Sequence, residues 1–257
     1  TDDKTKATLL PITVVMITLN EAHNLDAVLD NIQGWAEQVF IVDSYSSDDT
    51  IDIALRRGVH VVQRAFSGFG DQWNFALEQL PITSKWAMKL DPDERLSDNL
   101  KASISNAIEV GEADAFSITR RLWFMHRPLP ICQGLIRIWR TGSCKFTDVL
   151  VNEHPVVEGK VKELAGYLEH HDSPDLQHWY DKQNKYTSAE AITSYRGLEL
   201  AAKPKLFGTS IERRVWLKKN FFRMPFRYGA LFTYNYLIKG TWRAGRVGYI
   251  WSKLRVE

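Results

Sequence analysis

The chain has 257 residues, 44% hydrophobic and 25% charged, which suits a globular protein of one large domain plus an appendage. Its two cysteines, Cys132 and Cys144, match no zinc or redox spacing and exclude a disulfide framework. No run reaches the roughly 18–20 apolar residues of a spanning helix, so a cytoplasmic location is expected. The net charge of +2 hides a split: from Lys203 onward thirteen Lys and Arg face only Glu212 and Glu257, a net of +11, which leaves the first 202 residues at −9.

Pro11 to Leu19 is a near-continuous run rich in Ile, Val and Thr, the pattern of a strand buried on both faces. Asn20 to Gln33 carries apolar residues at Leu25, Val28, Leu29 and Ile32, which is helical spacing. Gln38–Asp43 reads as a second buried strand, ending in the turn-forming cluster Ser44-Tyr-Ser-Ser-Asp-Asp-Thr50. A helix over Ile51–Arg57, stopped by Gly58, and a third strand over Val59–Gln63 complete a βαβ pattern with parallel strands.

Gln72 to Leu80 is predicted as a short amphipathic helix ended by Pro81. Trp86–Leu90 is a fourth strand running directly into Asp91-Pro-Asp-Glu-Arg95. Leu100 to Val110 reads as a helix, and Ala115–Arg121 and Leu135–Arg140 as strands. The Pro-rich stretch Arg127-Pro-Leu-Pro130 is expected to be a loop between them. Beyond about Pro174 the chain reads as helices.

In open parallel sheets, ligands bind beyond the carboxyl ends of the strands. Three such ends are rich in polar groups here: Thr18-Leu-Asn-Glu21, Asp43 to Thr50, and Asp91-Pro-Asp-Glu94. Aspartates clustered at a strand end can hold Mg²⁺ or Mn²⁺, which neutralises a departing diphosphate. Glu94 is expected instead to cap the next segment or to pair with Arg95. Neither a Rossmann nor a Walker glycine loop is present, which also points to metal rather than a loop for holding phosphates.

In order, Thr18-Leu-Asn-Glu21, Val42-Asp-Ser-Tyr-Ser-Ser-Asp-Asp-Thr50, Gly68-Phe-Gly-Asp-Gln-Trp-Asn-Phe-Ala76 and Leu90-Asp-Pro-Asp-Glu-Arg95 resemble the successive motifs of family 2 inverting glycosyltransferases. Within that family they are similar to the branch of lipopolysaccharide core β-1,4-glucosyltransferases. The resemblance covers about the first 175 residues. It implies an α/β, GT-A-like fold with a mixed, mainly parallel sheet flanked by helices. It also implies a UDP-sugar donor and a divalent cation, Mg²⁺ or Mn²⁺.

Carried over by position, the resemblance places Thr18, Asn20 and Glu21 in the nucleotide pocket. Asp43 would accept from the uracil imide, Asp91 would contact ribose or metal-bound water, and Asp93 would ligate the metal. Val151-Asn-Glu-His-Pro155 aligns with a stretch that would supply the base, so Glu153 is the catalytic candidate and Asp148 its rival. His154 would orient the base or the acceptor. A late histidine would complete the metal site, with His170 preferred over His171. Arg137 and Arg140 point to opposite faces of their strand, so only one of them can help hold diphosphate. The chain departs from the family at Trp73, usually Lys or Arg, and at Tyr45, usually Gly.

The expected organisation is a disordered tail over 1–10, a catalytic domain over 11–175 and a helical, basic, aromatic region over 176–257. Segments such as Arg213–Arg223 and Phe226–Tyr236 interleave cations with large rings, as in a helix lying on an anionic membrane. A membrane surface is preferred over simple packing and over nucleic acid. The reading is an inverting hexosyltransferase, glucose being the expected sugar, with a lipid-linked saccharide acceptor such as the lipopolysaccharide inner core. It would work at the inner face of the cytoplasmic membrane. The rivals are a sugar nucleotidyltransferase, which would need a Gly-rich, Arg-containing loop after the first strand, and a non-catalytic nucleotide-sugar-binding module.

Overall fold

The opening apolar run forms β1 (Leu10–Thr18) in the computed structural model, which describes residues 9–147, 153–173, 175–195, 205–208, 212–213, 216–217, 220–221 and 225–256. There follow α1 (Ala22–Ile32), β2 (Ala36–Asp43), α2 (Thr50–Arg56), β3 (His60–Gln63), α3 (Phe69–Gln79), β4 (Trp86–Lys89) and β5 (Glu94–Leu96). Next come α4 (Asp98–Val110), β6 (Ala115–Phe124), β7 (Arg127–Arg140), β8 (Cys144–Phe146), β9 (Pro155–Val157), β10 (Val161–Ser173) and α5 (Leu176–Tyr195). The last elements are α6 (Arg227–Thr233) and α7 (Gly245–Leu254), with a π turn at Tyr234–Ile238 and a 3-10 turn at Thr241–Ala244 between them.

Eight strands form one sheet in the order β3-β2-β1-β4-β7-β6-β10-β5, and β8 pairs with β9 in a second, small sheet. The four strands β3-β2-β1-β4 are parallel, whereas β7 runs antiparallel to β4 and β5 antiparallel to β10. The chain winds outward from β1 in both directions, so β1 and β4 flank the point where strand order reverses. In such sheets the crevice for ligands opens at that point, beyond the carboxyl ends.

Side-chain alternation sorts the core onto the two faces of the sheet. Ile12, Val14 and Met16 of β1 join Ile41, Trp86 and Met88 in a cluster with Leu25, Val28 and Leu29 of α1 and with Leu100 and Ile104 of α4. On the other face, Val15, Phe40, Val42 and Ala87 pack with Trp73 and Ala76 of α3 and with Trp139 and Phe146. Lys89 alternates with Met88 and so emerges on this second face.

The stretch Arg127-Pro-Leu-Pro130, expected as a loop, is instead the start of β7. Two prolines at i and i+2 lack their N–H groups on the same edge of a strand. β4 reaches only Ile138 to Arg140 of β7, so an edge at the far end of β7 has no ladder to lose. The β6–β7 connection is a two-residue turn, Met125-His126, with φ of 47° and 59°. Both residues are in the left-handed region that such hairpin turns demand and that Asn-Gly usually fills.

The chain divides into two compact units, one reaching to Arg121 and resuming over Cys132–His171, the other combining Leu122–Ile131 with the chain from Asp172. In the second, Phe124 and Leu129 of the hairpin pack with Trp179 of α5 and with Trp251 and Leu254 of α7. A buried polar knot lies beside α7: the Thr241 hydroxyl donates to the Asn235 carbonyl at 2.9 Å and lies 2.6 Å from the Ser252 hydroxyl. Thr1–Thr8 of the expected N-terminal tail, and Asp148, Arg214, Lys218 and Lys219, lie outside the described residues.

Gly166 of β10 has φ of +102°, and a Cβ there would sit 2.5 Å from the backbone nitrogen of Leu100 in α4. Gly166→Ala should therefore destabilise the protein by on the order of 1–3 kcal/mol from backbone strain alone. A chemical-denaturation midpoint equal to that of the parent would contradict this close approach.

Candidate active site

The carboxyl ends of β1 and β2 are locked together by side chains. The Thr18 hydroxyl donates to Asp43 Oδ1 at 2.8 Å, and both residues are buried. Asp43 also accepts from the Ser46 hydroxyl and from the Ser46 backbone N–H, the latter at 2.8 Å. Its carboxylate thus ties β1 to the loop that follows β2. Asn20, at φ 57°, accepts the Ser47 N–H at 2.8 Å, while the Glu21 N–H donates to Thr50 Oγ1 at 2.8 Å. Glu21 Oε2 accepts from the Asn24 amide at 2.9 Å. Tyr45, where the resembled family has Gly, has φ of 62° and an exposed ring. Its backbone keeps the conformation that Gly favours.

Beyond β4, a buried arginine organises the acidic turn. Arg137 of β7 donates to Asp91 Oδ2 at 2.9 Å and, through the same nitrogen, to Glu94 Oε1. Glu94 Oε2 accepts the Asp91 N–H at 3.0 Å, closing the turn on itself. The expectation that Glu94 pairs with Arg95 is corrected: the Arg95 guanidinium caps the carbonyls of Pro92, Glu94 and Asn24. Glu94 is fully buried, and a carboxylate without water takes the strongest charge within reach. Burial pushes the Glu94 carboxyl above its usual range. Burial also acts against the Asp91 carboxylate, but Arg137 and then Lys89 outweigh it and hold Asp91 below the usual range. Arg140, on the opposite face of β7, pairs with Asp114 instead.

β5 and β10 pair antiparallel with Glu94 opposite His170, which brings Asp93 and His170 together. His170 Nε2 lies 3.1 Å from Asp93 Oδ2, with 13% and 17% of their side chains exposed. Alternation sends the neighbouring His171 ring to the other face, and its backbone N–H donates to the Asp93 carbonyl at 2.8 Å. Burial disfavours the His170 imidazolium, but the adjacent Asp93 carboxylate overrides it and the ring titrates above its ordinary value. One carboxylate oxygen and one imidazole nitrogen, both partly open to solvent, suit Mn²⁺ or Mg²⁺ that keeps its remaining positions for water and phosphate.

Glu153, the candidate base, accepts a hydrogen bond from Lys89 Nζ at 2.7 Å, and each side chain is only about a tenth exposed. The next residue, His154, donates its backbone N–H to Thr147 Oγ1 at 3.0 Å. Lys89 belongs to none of the motifs in the sequence. Its signal was the charge itself, a lysine inside the otherwise apolar Trp86-Ala-Met-Lys-Leu90, since a buried ammonium needs a partner. The pairing of Arg137 with Asp91 and Glu94 has no mark in the sequence beyond the face of its strand.

Residues 13–131 match the model of the family described as Glycosyl transferase family 2. Among curated proteins, an uncharacterized glycosyltransferase of Rickettsia typhi is 25% identical over 85% of this chain and 79% of its own length. One from Rickettsia prowazekii is 25% identical over 70% of this chain, which spans 66% of that relative. The crystal structure of S. aureus TarS 1-349 superposes with a TM-score of 0.50 at 15% identity, covering 96% of this chain and 90% of that one. The fold is GT-A-like, and residues 13–131 are similar to a family 2 glycosyltransferase domain. The protein is a glycosyltransferase.

In the metal-free protein, the Asp93–His170 pair stabilises the fold while the imidazole is protonated. That contribution is complete below an unfolded pKa of about 6.5 and fades as pH rises through the higher folded value. Metal binding runs the other way, because Nε2 must shed its proton. Mn²⁺ affinity should therefore climb with pH through this window and lose most of that slope in His170→Gln. A parent protein whose Mn²⁺ affinity ignores pH there would rule out His170 as a ligand.

Proposed function

We propose that the protein is a metal-dependent inverting hexosyltransferase that takes glucose from a UDP-sugar and places it on a lipid-linked saccharide such as the lipopolysaccharide inner core. The observation that carries this reading is the convergence of Asp93 and His170 beside Asp91, at the strand ends where the parallel sheet opens. Asp93 and His170 would hold Mg²⁺ or Mn²⁺, which neutralises the charge that develops on the departing diphosphate. Thr18, Asn20, Glu21 and Asp43 frame the nucleotide pocket, with Asp91 directed at the ribose side. Glu153 removes the proton from the acceptor hydroxyl as its oxygen forms the bond to the anomeric carbon. The bond from that carbon to the diphosphate breaks on the opposite face, so an α-linked donor gives a β-glycoside.

A thermal-shift panel of nucleotide sugars with and without Mn²⁺ tests the donor class, because ligand binding raises melting temperature by mass action. UDP-glucose with Mn²⁺ should give the largest shift, and Asp93→Ala should abolish both the Mn²⁺ dependence and turnover. Glu153→Gln should still bind donor and lose transfer by about 10²–10⁴-fold, the usual contribution of a positioned base. Full activity of either variant would refute its assigned role.

We propose further that the second unit docks on the anionic inner face of the cytoplasmic membrane, where such acceptors lie. No helix among the described residues is long and apolar enough to cross a bilayer. The residues from 225 to 256 contain no acid, while Arg227, Lys239, Arg243 and Arg246 accompany exposed Phe226, Leu237, Ile238 and Trp242. Phe226 is 91% exposed and Ile238 73%, which is costly in water and favourable in a headgroup layer. Each engaged cation adds about 1 kcal/mol near an anionic surface. The full chain should co-sediment with phosphatidylglycerol-rich vesicles, less so with rising salt. Changing Arg243 and Arg246 to Glu should weaken this binding, and changing Ile238 and Trp242 to Ser should remove its salt-resistant part. Equal binding by all forms to anionic and neutral vesicles would refute docking.

A further inference from the structure

Lys89 does not belong to a structural strand on cost grounds. β4 is buried throughout, and an ammonium there needs charge compensation that an apolar residue would not. The protein provides it in three pieces. Glu153 Oε1 lies 2.7 Å from Nζ, the Trp73 ring centroid 4.5 Å away and the Phe146 centroid 5.3 Å away. Trp73 and Phe146 are themselves stacked, 5.5 Å between centroids, so they form a firm wall under the cation. Trp73 stands where the resembled family has Lys or Arg, so α3 provides the wall at that position and β4 the cation.

The position of this charge matters more than its cost. Lys89 is the last residue of β4, two before Asp91. Its flexible four-carbon stem gives Nζ a wide radius of reach. The same ammonium occupies one oxygen of the carboxylate that must accept a proton from the acceptor. While it does so, Glu153 is held in place with that oxygen engaged.

We propose that Lys89 is an exchangeable positioning residue: it holds Glu153 until the donor arrives, then shifts its ion pair to the donor's diphosphate oxygens and frees Glu153 to act as base. The diphosphate wins because it offers greater negative charge and more acceptor oxygens than one carboxylate. The wall of Trp73 and Phe146 keeps Nζ on this side of the sheet throughout the exchange. Base activation is thereby tied to donor occupancy, which disfavours loss of acceptor protons at an empty site. This inference rests on the reading of Glu153 as the base and of the Asp91 turn as the diphosphate site.

The test is calorimetric binding of UDP and UMP, with Mn²⁺, to the full chain and its variants. Removing the carboxylate that competes for Lys89 should tighten UDP: Glu153→Gln is expected to bind it about three- to tenfold better, a change of 1.4 kcal/mol being tenfold. Lys89→Met should bind UDP about tenfold more weakly, and in that background Glu153→Gln should have no further effect, the signature of a coupled pair. UMP, which lacks the second phosphate, should respond little to either change. Glu153→Gln that leaves UDP affinity unaltered, or shifts UMP equally, would overturn the exchange. So would an undiminished effect of Glu153→Gln in the Lys89→Met protein. Should Lys89→Met not fold, the UDP–UMP contrast in Glu153→Gln decides by itself. Full transfer by Glu153→Gln removes the base assignment while leaving the binding comparison to judge the ion-pair exchange. Failure of the parent to bind UDP would remove both.

Discussion

One buried guanidinium makes the acidic end of this sheet possible. Asp91, Asp93 and Glu94 fall within four residues, and Glu94 has no access to water. Left alone, such a turn would repel itself and protonate. Arg137, arriving on the antiparallel neighbour of β4, binds Asp91 and Glu94 together and so fixes the direction of the turn. The Glu94 carboxylate then returns to cap the Asp91 N–H. With that knot tied, β5 can leave towards β10, and the pairing of β5 with β10 brings His170 to Asp93. The approach of His170 to Asp93 is thus a consequence of how one internal charge was satisfied.

The parallel half of the fold was legible because its signals are local and redundant. β1, β2 and β4 read as apolar runs with polar clusters at their ends, and Gly58 marked the stop after α2. The antiparallel half was harder. The β6–β7 turn uses Met and His in left-handed conformations, so the usual Asn-Gly signal was missing, and two prolines argued against a strand that β4 pairs only over Ile138 to Arg140. β10 is 13 residues long, yet no strand is predicted over it. Most of its positions are exposed or half-buried, so its pattern is weak.

The candidate site shows the same division. The motif residues Thr18, Asp43, Asp91 and Asp93 stand at strand ends, where their order in the sequence put them. Pairing is what spacing does not show: Arg137 with Asp91, and Lys89 with Glu153, each join residues far apart in the chain. Strand alternation separates His170 from His171, which spacing alone could not do without the register against β5. Tyr45 is a different case, since the resemblance flagged it as a departure and the backbone angle explains why Gly is usual there.

The second unit is discontinuous in sequence, and this has a consequence for how the chain is made. Phe124 and Leu129 at the hairpin tip are buried against Trp179, Trp251 and Leu254. On the ribosome, the tip emerges about fifty residues before the first of these partners and more than a hundred before the last. Until then the tip lacks the helical partners of its cluster, the condition under which nascent chains aggregate or recruit chaperones. A version cut after β10 would carry that exposure permanently. Cutting where the motifs end would yield a sticky fragment rather than a minimal enzyme.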